Sequence, residues 1–167
     1  AENFFFSTYT CHGPVPGEVG LAPPLQGEVR RIDSDGVRRW ICSGGSYLAS
    51  APNLQLDTQF QGLKGMFTGE SMSFMVVSGV GPFLVSGFGR LSEIDLNGTL
   101  VVDTGHVVAF QDTLTYSPTK AGSSWVQTFL AGEGIVLRFC GQGKILVQSH
   151  NARGFGKTLG SMLPQRS

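Results

Sequence analysis

The chain repeats itself at an interval of about 60 residues, and this repeat limits the folds that it can adopt. Residues 40–49 align without a gap with residues 100–109, and residues 70–74 match residues 133–137. A looser match extends to residues 2–6. Self-similarity at this period indicates one supersecondary unit that is used several times. The period is too long for a solenoid coil and suits a small half-barrel.

Within each copy, apolar residues occupy alternate positions, which places them on one face of a β-strand. The first strand is followed by glycines, Gly79 and Gly81 in one copy and Gly141 and Gly143 in another, and then by a second apolar run. We therefore predict that a glycine turn joins two strands in each copy. The residues that this alternation places in the core are Phe6, Phe74, Val85, Ile94, Leu96, Leu137 and Val147.

The fold class predicted from this pattern is all-β, with tandem repeats of a β-sandwich unit. The boundaries expected are a first unit at 1–68, a second unit at 69–131, a third half-unit at 132–151 and a C-terminal tail at 152–167. The tail is basic, polar and contains glycine, so we expect it to be frayed. An unpaired half-unit leaves sheet edges open, and a half-unit preceding Ala1 would be the simplest completion. Further strands are predicted at residues 4–9, 18–22, 27–32, 38–42, 54–58 and 114–116, with linkers at 61–68 and 125–130.

Charge and cysteine content narrow the classes of function. Twelve basic and twelve acidic residues give a formal net charge of zero, so a basic face for nucleic acid would have to be local. Only 14% of the residues are charged, which hints that neighbouring chains cover part of the surface. Cys11, Cys42 and Cys140 lie far apart without a CxxC motif, which favours reduced thiols and a cytoplasmic location. No apolar run in the sequence approaches transmembrane length.

One motif has the form of a catalytic site. Residues 103–105 spell Asp-Thr-Gly after two valines, the signature of an aspartic protease, whose chemistry requires two carboxylates that share a proton. The aligned copy begins with Ser43, so this chain supplies no second aspartate from the repeat. We therefore predict that the protein is not an enzyme and that Asp103 bonds local amides at a strand end. A hydrolase acting through Asp103 is the minor alternative.

No set of residues has the spacing of a metal or cofactor site. His12, His106 and His150 are dispersed and share no ligand spacing. Residues 33–36 resemble part of a calcium loop, but glycine stands at the distal ligand position, so a hairpin turn is preferred. Residues 154–158 end like a phosphate loop that lacks its leading glycine. We predict no cofactor and no metal, and the sequence assigns no catalytic or binding residue.

Four arginines form the strongest charge cluster, on two neighbouring predicted strands: Arg30, Arg31, Arg38 and Arg39. From there they could bind phosphate groups. Acidic residues lie among them in the sequence, and such a mixture is equally typical of a solvated surface. Both interpretations stay open, so nucleic acid is an alternative partner.

Five segments resemble a known family: residues 44–50 (GGSYLAS), 61–65 (QGLKG), 93–96 (EIDL), 102–110 (VDTGHVVAF) and 132–151 (GEGIVLRFCGQGKILVQSHN). On these segments the chain resembles the altered-inheritance-of-mitochondria protein 24 family, also catalogued as a domain of unknown function. The resemblance covers nearly the whole chain up to Asn151. Members are similar in fold to the trp RNA-binding attenuation protein, whose unit is a short double-stranded β-helix.

The resemblance implies three such units in tandem and a homotrimer in which about nine units close a ring. It also implies an additional N-terminal half-unit in bacterial members and no established enzymatic activity. Mitochondrial members are associated with inner-membrane organisation, a role that is not carried to this chain. We expect a non-enzymatic, oligomeric ring that acts as a scaffold or binding protein. The alternative is a ring that binds RNA or a small ligand at unit junctions, which is an analogy from fold alone.

Overall fold

A computed structural model describes residues 6–59, 73–119 and 136–164, and every structural statement below refers to these ranges. Within them the chain forms ten β-strands, one short 3₁₀ turn and one α-helix. The all-β class is therefore confirmed for the described chain. The predicted linkers at 61–68 and 125–130 lie outside these ranges.

The elements follow one another in the chain with these bounds: β1 Val29–Asp35, β2 Trp40–Ser43, β3 Tyr47–Ser50, β4 Gln55–Gln59, β5 Phe74–Ser78, β6 Val80–Ser86, β7 Leu91–Asp103, the 3₁₀ turn Thr104–His106, β8 Val107–Gln111, β9 Leu114–Thr119, β10 Val136–Gln148 and helix α1 Ala152–Met162.

The strands form two sheets. The large sheet has seven strands in the order β4-β5-β2-β8-β10-β7, and β9 also pairs with β10. The small sheet has the order β1-β6-β3. All the ladders between these strands are antiparallel. Strand β10 is long enough to carry β7 along one side and β9 followed by β8 along the other.

The glycines predicted as tight turns bend strands instead of joining hairpins. Strands β5 and β6 follow each other across Gly79, yet they do not pair with each other and belong to different sheets. Gly79 has a φ of 101°, a conformation that residues with a Cβ rarely adopt. Gly141 has a φ of 126° inside the continuous strand β10. The turn predicted between two strands is therefore present at Gly79, although the two strands form no hairpin, and it is wrong at Gly141, where β10 continues through the glycine.

Six of the seven predicted core residues pack in the interior: Phe74, Val85, Leu96 and Leu137 are buried, and Ile94 and Val147 are half-buried against them. At the centre of one core cluster, the ring of Phe110 lies 5.9 Å from that of Phe74 and 5.0 Å from that of Phe139, both edge to face. Such aromatic pairs stabilise a core beyond the area that they bury. The repeat-equivalent alternation therefore gives the correct strand faces.

Phe6 is the exception, since 48% of its surface is exposed. Residues 6–26 form no strand, so the strands predicted at 4–9 and 18–22 are wrong for the described part. The residues that align with Phe6 are Phe74 in β5, which pairs with β2 and β4, and Leu137 in β10, which pairs with β7 and β9. Alternation buries a face only where the segment joins a sheet, and the ring of Phe6 instead packs edge to face against that of Tyr47 at 6.0 Å.

The C-terminal segment is helical over residues 152–162, so the prediction of a frayed tail is wrong there. Asn151 caps the helix, because its side-chain oxygen accepts from the N–H groups of Arg153 and Gly154 at 3.0 and 3.2 Å. The ring of Phe155 packs edge to face on Phe88 at 5.3 Å. Within the described chain, no helix is long and apolar enough to cross a lipid bilayer.

Candidate functional site

Asp103 ends β7 and opens the 3₁₀ turn. Its carboxylate accepts a hydrogen bond from the N–H of Gly105 at 2.8 Å and a longer one, 3.5 Å, from the side-chain amide of Asn151. These are the local amide contacts expected of a strand end. The hydrogen bonds of Asp103 supply no paired carboxylate of the kind that an aspartic protease requires. That the protein lacks protease activity stays a prediction.

Gln148, at the end of β10, fixes the same turn from the other side. Its amide nitrogen donates to the carbonyl oxygen of Gly105 at 2.8 Å, and its amide oxygen accepts from the N–H of Phe88 at 2.8 Å. The backbone oxygen of Gln148 lies 2.8 Å from Nδ1 of His106. Two of the segments that carry the family resemblance, 102–110 and 132–151, therefore meet here in one hydrogen-bonded corner.

The three histidines have separate environments. His106 bonds the backbone of β10, and His150 bonds the hydroxyl of Ser149 at 2.7 Å while its ring lies 5.1 Å from that of Phe88. His12 is exposed in the N-terminal segment. Among the residues that the structure describes, no cluster of three or more His, Cys, Asp or Glu side chains could hold a metal ion.

The arginine cluster is divided among partners. Arg31 pairs with Asp33 at 2.7 Å and Arg39 with Asp112 at 2.8 Å. The hydrogen bond and the charge of Asp33 raise the pKa of Arg31. The remaining two bond neutral oxygens, Arg30 the carbonyl of Leu91 at 3.2 Å and Arg38 the side chain of Gln111 at 3.5 Å. Because side chains alternate along β1, its two arginines also point to opposite faces.

The segment that resembles part of a calcium loop is a turn. One carboxylate oxygen of Asp35 accepts from the N–H groups of Val37 and Arg38 at 2.9 and 3.1 Å. These backbone hydrogen bonds lower the pKa of Asp35, and the one from Arg38 has the largest effect. Gly36 follows with a φ of 76°. The segment at 154–158 lies inside helix α1 and not in a loop between a strand and a helix, which is the setting of a phosphate loop.

The cysteines are free thiols in three different settings. Cys11 is exposed, Cys140 is half-buried and Cys42 is fully buried on β2. Burial raises the pKa of the Cys42 thiol from 9.0 to about 12. Because the thiolate is the nucleophilic form, Cys42 is a packing residue at neutral pH.

A cavity of about 210 Å³ lies beside the Gln148 corner. Its walls come from six segments: residues 23–25, the turn 43–46 at the end of β2, residues 86–88 at the end of β6, Val107 at the start of β8, Gln148 at the end of β10 and Ala152 at the start of α1. The sequence does not predict this site, because the residues of its walls are distant along the chain. The only signal was the serine- and glycine-rich turn at 43–46, which overlaps a segment of the family resemblance.

The chain is similar to proteins of known family. A family model described as mitochondrial biogenesis AIM24 matches residues 1–150. An uncharacterized protein of Streptococcus pyogenes serotype M6 is 32% identical over 169 residues, which is 99% of this chain and 66% of that protein. A crystal structure of a Streptococcus pyogenes protein from structural genomics superposes with a TM-score of 0.74 at 30% identity, covering 85% of this chain and 63% of its own. The chain thus spans about two thirds of these relatives' length and belongs to the mitochondrial biogenesis AIM24 family.

Proposed function

We propose that the protein is a non-enzymatic repeat module that assembles head to tail into a closed homotrimer and acts there as a scaffold or binding protein. The observation that carries this proposal is the pairing of β2 with β8 inside the chain. In the described ranges, the strands that correspond to them in the repeat, β7 and β3, each keep one unpaired edge.

The strand pairings support a tandem repeat. β5 pairs with β2 and β4, and β6 pairs with β3 across a register shift. β10 pairs with β7, with β9 and, again across a register shift, with β8. If β10 corresponds to β5 and β6 together, the end of β7 corresponds to β2, and β8 and β9 correspond to β3 and β4. This is the same correspondence as the gap-free alignment of residues 40–49 with 100–109.

The two copies meet where β2 pairs with β8, through Trp40 and Gln111, Ile41 and Phe110, and Cys42 and Ala109. In the described chain, the equivalent strands are edges: β7 pairs only with β10, and β3 pairs only with β6. The alignment of residues 40–49 with 100–109 converts the register of β2 with β8 into a register for β7 with β3. It places Leu100 opposite Ala51, Val101 opposite Ser50 and Val102 opposite Ala49, with β7 from one chain and β3 from the next.

Such a contact is heterologous, so it must close into a ring or continue as a filament. The open edge of a strand as long as β7 is a template for pairing with another chain. Val101 on this strand is 50% exposed, although its apolar side chain would gain from burial against a neighbour. Closure at three chains is taken from the family resemblance, and the cytoplasmic location rests on the free thiols.

The two alternatives receive less support. All four arginines of the cluster already bond oxygen atoms of the chain, so phosphate binding would have to compete with these contacts. A filter-binding assay across salt concentrations tests this alternative, because phosphate contacts weaken steeply with salt. An Asp103→Asn variant tests the hydrolase alternative, since it would abolish any acid proteolysis.

Disulfide trapping tests the proposed junction. In antiparallel strands, opposite Cα atoms lie about 4.5–5.5 Å apart, within the range of a disulfide. A Val101→Cys, Ser50→Cys variant in a Cys11→Ser background should form covalent dimers and trimers on mild oxidation. The matched control is Val101→Cys with Val80→Cys, whose exposed position on β6 should give no ladder. Equal cross-linking of both pairs would contradict the register.

A further inference from the structure

We propose that helix α1 is a hinged flap at the wall of the cavity and that it opens while both sheets stay folded. Ala152, the first residue of α1, lines the cavity, and so does Phe88, against which the ring of Phe155 packs. When the flap opens, this part of the cavity wall is removed. The flap does not depend on the assembly proposed above, since α1 and the cavity belong to one chain.

The hinge is at Asn151, because the chain before this residue is fixed to the segment that joins β6 to β7. The N–H groups of Ser149 and His150 donate to the carbonyl oxygens of Arg90 and Phe88 at 2.9 and 3.2 Å. Helix α1 begins directly after Asn151, whose own backbone is extended, with a φ of −108° and a ψ of 114°. A change of these two angles moves the helix as a unit and leaves the strands in place.

An aromatic contact holds the first turn of α1 against the body of the chain. The ring centroids of Phe155 and Phe88 lie 5.3 Å apart, and the rings meet edge to face. Phe155 nevertheless remains 48% exposed, so Phe88 covers only part of its side chain. An aromatic pair of this kind adds a modest stabilisation beyond the area that it buries, so the contact can break while the sheets stay intact.

The rest of α1 is attached weakly. In the described chain no residue of the helix is buried, and Leu159 and Met162 are 46% and 74% exposed. A Cβ added at Gly156 or Gly160 would meet nothing within 4 Å, so the side of the helix that carries them has no close neighbour there. Helices of this length are marginal in water on their own, and glycine weakens them further. Opening of α1 therefore costs much less free energy than unfolding of the whole chain.

Val107 is a residue that the closed flap helps to cover. Its side chain lines the cavity together with Ala152, and it is only 3% exposed in the closed form. Once Ala152 moves away with the helix, Val107 and the apolar parts of the cavity wall come into contact with solvent. The flap therefore controls access to the cavity.

Native-state hydrogen exchange on the 167-residue chain tests whether α1 opens by itself. The amide groups of residues 155–162 should be protected, but they should exchange faster than those of Ile145 and Leu146 in β10 by a factor of roughly 100 or more. Low concentrations of urea should speed exchange in β10 and not in α1, because a local opening exposes little surface. Phe74→Ala, which weakens the core of the sheets, should likewise speed exchange in β10 and leave α1 unchanged.

Thiol labelling tests whether the opening uncovers the cavity. Val107→Cys, in a Cys11→Ser, Cys140→Ser background, places a thiol on the cavity wall. Adding Phe155→Ala should speed its labelling by roughly 2- to 12-fold, and α1 exchange by the same factor, which is the equivalent of one aromatic pair. Cys42 is fully buried on β2 and serves as the internal control, because it should react far more slowly, through unfolding of the sheets.

Met162→Ala, at a 74% exposed position of the same helix, is the matched control and should change both rates by less than about 2-fold. Three results would overturn the proposal. Exchange of α1 at the rate and urea dependence of β10 would mean that the helix opens only with the whole chain. Unprotected α1 amides in the wild type would mean that the closed form is not populated. A Val107→Cys labelling rate that Phe155→Ala leaves unchanged would mean that α1 does not cover the cavity wall.

Discussion

Ile41 on β2 lies directly opposite Phe110 on β8, and this pair sits where the first three strands of the large sheet join the rest. Both flanking pairs, Trp40 with Gln111 and Cys42 with Ala109, include buried residues. The β2–β8 ladder therefore joins the two parts of the large sheet through buried residues. We propose the same register for a contact between chains.

Truncating Phe74 should cost about 3–5 kcal/mol of unfolding free energy, because its buried ring contacts the aromatic cluster and leaves a cavity when removed. Urea denaturation of Phe74→Ala measures this cost. Phe6→Ala is the matched control, and its effect should stay within about 0.5 kcal/mol because Phe6 is exposed. Equal losses in the two variants would show that Phe6 packs in the core after all.

Gln148→Ala should destabilise the protein by about 1–3 kcal/mol, because it leaves the N–H of Phe88 and the carbonyl oxygen of Gly105 without this partner. Thermal unfolding compared with Gln142→Ala, an exposed position on the same strand, gives the difference. An unchanged melting temperature for Gln148→Ala would mean that the corner is held by other contacts.

Replacing Gly141 or Gly160 by alanine should change the stability of the protein in opposite directions. Gly141→Ala should cost about 1–3 kcal/mol, because its φ of 126° is strained for alanine and the added Cβ would lie 3.0 Å from the carbonyl oxygen of Thr113. Gly160→Ala should instead stabilise α1 by roughly 0.5–1 kcal/mol, since nothing lies within 4 Å of the added Cβ. The melting temperatures of the two variants test the backbone conformation at Gly141 and the helical conformation at Gly160.

The buried thiol of Cys42 makes stability fall in alkali. Its pKa rises from 9.0 to about 12 on folding, so the folded chain holds the proton more tightly than the unfolded chain. This stabilisation is complete below pH 9 and is lost as the pH rises through about 12, at about 1.4 kcal/mol per pH unit. Cys42→Val, compared with wild type by urea denaturation from pH 8 to 10.5, should show a shallower decline. Parallel curves would contradict a buried, protonated thiol.

Sequence and structure agree best where a pattern depends on local geometry. The alternation around Phe74 and Leu137 identifies the buried faces, because side chains on a strand point alternately to either side. The same alternation fails at Phe6, because residues 6–26 form no strand in the described chain, and strand pairing depends on neighbours that are distant in sequence. Gly79 signals a change of direction, but only the sheets around it show a bend instead of a hairpin.

For the candidate sites too, the sequence predicts what local geometry determines and misses what distant segments build together. The local amide bonds of Asp103 follow from its place at a strand end, and the structure has them. The helix after Asn151 had a usable signal, because a capping residue precedes apolar residues at helical spacing, including Phe155 and Leu159. The cavity at Ser43 had only the serine- and glycine-rich turn at 43–46 as a signal, because its walls come from six separate segments that meet only in the folded chain.

The mass of the protein in solution tests the central claim, head-to-tail assembly through β7 and β3, most directly. Light scattering during size exclusion at micromolar concentration should give about three times the 17.8 kDa of one chain. Val101→Lys, which places a charge on the proposed edge, should shift the mass towards one chain, whereas Val80→Lys should leave it unchanged. A wild-type mass of one chain, independent of concentration, would contradict the account.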